Sequence, residues 1–192
     1  MPFCMMAERF LSKNQVGVTD AMNQPLVPLS IETPRLRLRM FDESDWDALC
    51  QMFEDEECVR YTRGQVQPKW ETWRILAAYL GHWSLRGYGP YAVVEKSSEK
   101  MMGPVGLWYP GDWPEPEIKY SLTRAFWGNG YASEAALAVK EMAKKDLGWR
   151  RLISLIAREN SNSIAVAKRI GGVFEKTIPF RGGEAEIYAY HL

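Results

Sequence analysis

From Ile31 onward, apolar and polar positions fall into regular stretches that alternate between a period of two and a period near 3.6. In PRLRLRMF, Leu36, Leu38 and Met40 alternate with Arg35, Arg37 and Arg39, the pattern of a half-buried strand. The three arginines read either as a solvated strand face or as an anion site. Helical spacing follows in DESDWDALCQMFED, where Trp46, Leu49, Cys50 and Phe53 recur on one face and Asp42 stands as the cap. A second helix is predicted through WETWRILAAYLGHWSLRG, with Pro68 at its start and Gly87 as its stop. Its aromatics Trp70, Trp73 and Trp83 are expected to pack, and His82 among them to be structural.

The apolar runs PYAVVEK and MGPVGLWY flank the turn KSSEK and predict a hairpin; EIKYSL follows after the loop PGDWPEP. A long helix from Tyr131 to about Leu147, a buried strand LISLIA, a short helix from about Asn162 to Ile170 and two terminal strands, VFEKTI and AEIYAYHL, complete the pattern. Runs of strands with helices between them give an α/β domain with a mixed sheet. Residues 1–30 carry little periodicity and include Pro25 and Pro28, which reads as an extension that lies on the domain or stays mobile.

One stretch breaks the periodicity. FWGNGYASEAALAV, Phe126 to Val139, puts Gly128 and Gly130 directly before an alanine-rich helix. Glycine in that place indicates backbone that takes φ > 0 or comes close to a ligand. With Ala132 small as well, a row of bare N–H groups would face outward at the positive end of a helix dipole, an arrangement that holds phosphate. The same pair is otherwise a plain turn. The stretch lacks G-x-x-x-x-G-K-[ST], and it lacks the third glycine and distant acid of a dinucleotide fold, so the anion expected is another diphosphate.

Composition narrows the class. The chain has 192 residues, 46% hydrophobic and 25% charged, with 24 basic against 24 acidic side chains. A chain of this length buries roughly 70% of its unfolded surface and supports one core. The balanced charge gives no indication of a nucleic-acid binder or a polybasic membrane anchor. Cys4, Cys50 and Cys58 have no C-x-x-C spacing, which supports neither a disulfide framework nor a zinc site. No signal-peptide pattern and no long apolar run is present, so a cytoplasmic protein without bound metal is expected.

The glycine loop, together with IETPRLRLR, WPEPEIKYSL and ARENSNSIAVAKRIGG in that order, resembles the GNAT superfamily of acetyl-CoA-dependent N-acetyltransferases, and within it the RimJ/RimL-like branch. The resemblance covers residues 31–192, leaving 1–30 as an N-terminal extension. It implies the GNAT fold, an α/β domain whose mostly antiparallel mixed sheet splays between its fourth and fifth strands, here EIKYSL and LISLIA. It further implies that acetyl-CoA lies in that opening. The backbone of Tyr120, Ser121 and Leu122 would pair with the pantetheine arm. Trp127, Gly128, Asn129, Gly130, Tyr131 and Ala132 would hold the pyrophosphate, and Asn160 and Ser163 would lie beside the arm. Ser163 or Asn162 also reads as a helix N-cap.

Amide formation needs a base to free the amine lone pair. Glu117, at the start of the fourth strand beside Trp108 and Trp113, is the candidate, its pKa raised by burial; the bland reading is a strand-edge carboxylate. Ala167 stands where many members have a tyrosine acid, so Tyr120, Tyr188 or Tyr190 would substitute, with Tyr120 the catalytic candidate, or the thiolate leaves unaided. Lys119 stands where the branch commonly has glycine, and either points into the cleft or is exposed. Asp112, Glu115 and Glu117 would attract a cationic amine. The expected acceptor is a primary amine, whether a protein N-terminus, an amino acid or a small molecule, for a monomer or homodimer that binds neither nucleic acid nor membrane. The alternative is a non-catalytic acyl-CoA-binding sensor or scaffold of the same fold.

Overall fold

A computed structural model describes residues 24–192. Cys4 and most of the proposed extension lie outside the described residues. The visible end of that stretch packs on the rest: Val27 is buried, Leu26 N–H donates to Gly87 O at 2.8 Å and Tyr91 Oη donates to Pro28 O at 2.6 Å. It leads into a short strand, β1 (Ser30–Glu32), that the pattern did not announce.

Among the described residues, eight strands form one sheet: β1, β2 (Leu36–Arg39), β3 (Pro90–Glu95), β4 (Met101–Trp108), β5 (Glu117–Tyr120), β6 (Arg151–Ile156), β7 (Val173–Phe180) and β8 (Gly183–His191), in the order β1-β2-β3-β4-β5-β6-β8-β7. Every pairing is antiparallel except β5 with β6. Because β1 adds one to the count, the strands expected to part as fourth and fifth are β5 and β6. They do part: their parallel register has a single rung, Glu117 opposite Ile153.

The helices are α1 (Trp46–Glu54), α2 (Glu56–Val59), α3 (Lys69–Arg86), α4 (Tyr131–Leu147) and α5 (Ser161–Arg169). Alternation along β3 divides the core, as the period of a strand demands. Tyr91 and Val93 join the larger cluster with Ala135, Ala136, Val139 and Ala143 of α4, whereas Ala92 joins Leu49 and Phe53 of α1 and Ile75 and Leu76 of α3. The alanines let α4 lie close on the sheet.

Three local expectations need correction. Asp42 caps not an α-helix but a 3-10 turn, Glu43–Asp45, closed by a reciprocal bond from Asp42 N–H to Asp45 Oδ2; α1 starts only at Trp46. The short helix α2 was missed, although Asp55 caps it through Glu57 N–H. Of the α3 tryptophans, Trp83 is core, but Trp70 and Trp73 are 58% and 54% exposed. Gly87, in the left-handed region at φ +72°, ends α3 as expected.

Candidate functional site

The parting of β5 and β6 has a consequence at backbone level. Ser121 N–H and Thr123 N–H donate back to Pro104 O and Met102 O, so odd-numbered groups are spent on β4. By the alternation of an antiparallel ladder, the N–H and C=O of Tyr120 and Leu122 face the opposite way, where β6 has already diverged. Leu122 O accepts the indole N–H of Trp127 at 2.6 Å. The Tyr120 amide groups and Leu122 N–H thus face no neighbouring strand among the described residues.

Beyond that edge lies the glycine loop. Gly128 and Gly130 take φ of +78° and +79°, which side-chain-bearing residues avoid, and a Cβ on Gly128 would meet open space. Gly130 is the N-cap of α4 and no side chain caps the helix; the first intrahelical bond is Glu134 N–H to Gly130 O. The N–H groups of Tyr131, Ala132 and Ser133 precede it, unpaired at the positive end of the dipole. This is a cradle that fits a pyrophosphate.

What holds the loop was not foreseen. Arg35, from the run of alternating arginines, donates through Nε to Glu134 Oε2 at 2.6 Å and through Nη1 to Asn129 O at 3.0 Å, and stacks over the Tyr131 ring. Glu134 Oε1 also accepts from Thr33 Oγ1 and from Arg35 N–H. Arg37 and Arg39 pair with Glu99 and Asp45. All three arginines are partly exposed and ion-paired, and Arg35 also braces the loop.

A continuous cleft of about 850 Å³ joins the loop to the rung between β5 and β6. Glu117, Tyr120, Ser121, Leu122, Trp127, Gly128, Gly130, Tyr131, Ala132, Asn160 and Ser163 all line it. Asn129 does not: its side-chain amide donates to Trp127 O at 3.0 Å and closes the loop on itself. Asn160 turns out to be the N-cap of α5, its Oδ1 accepting from Ser163 N–H at 3.1 Å, so the cap is neither Ser163 nor Asn162. Arg169, unremarked in the sequence, also lines the cleft and reaches Ser133 Oγ at 3.3 Å.

At the rung between β5 and β6 sits Glu117, 7% exposed. Its Oε2 accepts from Trp113 Nε1 at 2.5 Å, and its Oε1 from Leu155 N–H at 3.2 Å, a group that β5 would have paired had the strands stayed together. Burial pushes its pKa up to about 7, against the lowering effect of Lys119, Leu155 N–H and Trp113. Such a carboxyl is poised to exchange a proton near neutrality. Tyr120 Oη donates to Ser163 O at 2.9 Å, and burial raises its pKa to about 12. Tyr190 Oη and Ser154 Oγ bond beneath it. Tyr188 is bonded to Glu186, and Ala167 is wholly buried in the core.

The other expected acids are not free. Asp112 is bound by Arg181 at 2.6 Å, and Glu115 by Arg151 through two bonds. Only Glu117 of the three is presented to the cleft, so the loop offers little to attract a cationic amine. His82 is structural as expected: buried, bonded through Nδ1 to Tyr88 O, accepting Tyr109 N–H at Nε2 and stacked on Trp108. Cys50 and Cys58 are buried free thiols.

Residues 35–173 match the family description "Acetyltransferase (GNAT) domain". The chain is similar to an uncharacterized N-acetyltransferase, p20, of Bacillus licheniformis, 25% identical over 169 residues that cover 85% of this chain and 95% of that one. Among solved structures it resembles the acetyltransferase from Agrobacterium tumefaciens, with a TM-score of 0.78, 28% identity and coverage of 86% and 95%. It shares the fold of RimL, a ribosomal L7/L12 α-N-protein acetyltransferase solved in complex with coenzyme A, with a TM-score of 0.69, 23% identity and coverage of 86% and 97%.

Proposed function

The chain belongs to the acetyltransferase (GNAT) domain family, and from that membership we propose that it moves an acetyl group from acetyl-CoA to a primary amine by direct attack, with Glu117 as general base. The observation that carries the reading is the placing of Glu117: a buried carboxyl with a pKa of about 7, at the point where β5 leaves β6, in the same cleft as the uncapped start of α4. Acetyl-CoA would supply the activated thioester. The N–H groups of Tyr131, Ala132 and Ser133, in the turn opened by Gly128 and Gly130, would receive its pyrophosphate, with Arg169 adding a positive charge beside them. The Tyr120 amide groups and Leu122 N–H would pair with the pantetheine arm as a neighbouring strand does.

Glu117 takes the proton from the incoming amine, directly or through water. Trp113 and Leu155 hold its two oxygens so that the carboxylate faces the cleft in one orientation. Tyr120 Oη, turning from Ser163 O, would return a proton to the departing sulfur. Replacing Glu117 by Gln preserves shape and removes the base. The expected result is a fall in kcat of at least about tenfold with acetyl-CoA affinity retained. An unchanged kcat would remove Glu117 from the role.

A further inference from the structure

The wall of the cleft carries charge that the chemistry above leaves unused. Lys119 lines the cleft, half-buried, and makes no hydrogen bond or ion pair with any described residue. It lies two positions after Glu117 on β5, on the same face, with the two Cα atoms roughly 7 Å apart along the strand. Its charge is felt by Glu117. A cation in a cleft with no ion pair of its own is available to pair with an anionic group on a ligand.

The remaining charges of the cleft do not supply that partner. Of the other carboxylates that line it, Glu57 is bound by Arg60, and Glu159 and Glu184 are exposed to water. Trp113, bonded to Glu117, packs on the rings of Trp108 and Phe180, and Trp108 on that of Tyr79. Beside Glu117 the cleft thus offers a base in an aromatic frame and two cations: Arg181, over Trp113, is engaged by Asp112, whereas Lys119 makes no ion pair with a described residue.

We propose that Lys119 binds a carboxylate on the acceptor, so that the enzyme acetylates a small amine that is also an acid, a free amino acid in preference to a polyamine or a simple alkylamine. This rests on the acetyltransferase reading. Residues two apart on one strand face are close enough for a single small molecule to present its amine to Glu117 and its carboxylate to Lys119. A charged hydrogen bond of this kind discriminates between ligands that have and lack the carboxylate by about tenfold or more.

The test compares free L-amino acids with their decarboxylated amines, L-phenylalanine against 2-phenylethylamine and L-lysine against 1,5-diaminopentane among them, by kcat/KM with acetyl-CoA. The amino acid should lead by at least about tenfold in one or more pairs. In Lys119→Met, which keeps the aliphatic stem, that ratio should fall toward one, and in Lys119→Arg much of it should return. Taking the ratio within one variant cancels any change in Glu117. Amines equal to or better than their amino acids, or a ratio that survives Lys119→Met, overturns the proposal. So does a rise in the KM for acetyl-CoA that matches the loss, because it would place Lys119 on the cofactor. No turnover of either series, with acetyl-CoA still stabilising the fold, removes this inference alone; no stabilisation by acetyl-CoA sinks the acetyltransferase reading beneath it.

Discussion

Glu117 answers to two equilibria at once. As a base it must be ionised, so kcat/KM should rise as pH climbs through about 7 and level off above it, a limb absent from Glu117→Gln. For stability the sign is opposite. Because burial raises the carboxyl's pKa from 4.5 to about 7, the native state holds more protons than the unfolded chain between those values, and stability falls as pH rises across that window. Denaturant midpoints at pH 5 and pH 8 should therefore drop more for the wild type than for Glu117→Gln; parallel curves would mean that the carboxyl is not perturbed. The position of Glu117 beside two tryptophans was legible in the chain, since strand start and aromatic neighbours are both local. The fate of Asp112 and Glu115 was not. Their arginine partners stand 69 and 36 residues away, and nothing in a local window signals a pairing at that range.

At the level of elements, the glycine turn depends on the residue just before β2, distant from it in the chain. Arg35 joins Glu134 and Asn129 O from 99 and 94 residues away, and its side chain is 47% exposed, so its contribution is modest. Arg35→Ala should weaken acetyl-CoA on the order of fivefold, about 1 kcal/mol. The change should appear in the KM for acetyl-CoA, with kcat nearly unchanged and Arg35→Lys recovering part of it. A fall in kcat at constant KM would contradict the bracing role. Strands and long helices followed closely from period, proline and glycine signals. The elements that escaped, β1 and α2, span only three and four residues, too few for a period to declare itself. Trp70 and Trp73 misled because helical spacing says which residues share a face, while only tertiary packing says which face is covered.

For the molecule as a whole, the expected signature is stabilisation by its cosubstrate. At about 100 times its Kd, acetyl-CoA should add roughly 2.7 kcal/mol to the folded state, seen as a rise of several degrees in melting temperature. CoA should act similarly and NAD should not. The absence of a shift at millimolar acetyl-CoA would leave the cradle a turn and no more.

The single rung between Glu117 and Ile153 has one more result. Sheets ordinarily keep their unpaired edges at the rim, where another chain can add to them and begin aggregation. Here two edges are opened in the middle of an eight-stranded sheet, under the cover of α4 and α5, with Trp127 already occupying one carbonyl. They lie inside the sheet, with five strands on the β1 side of the opening and three on its β7 side, rather than at its rim. The fold thereby keeps hungry backbone donors in permanent readiness for a slender guest without advertising them as a template to its own kind.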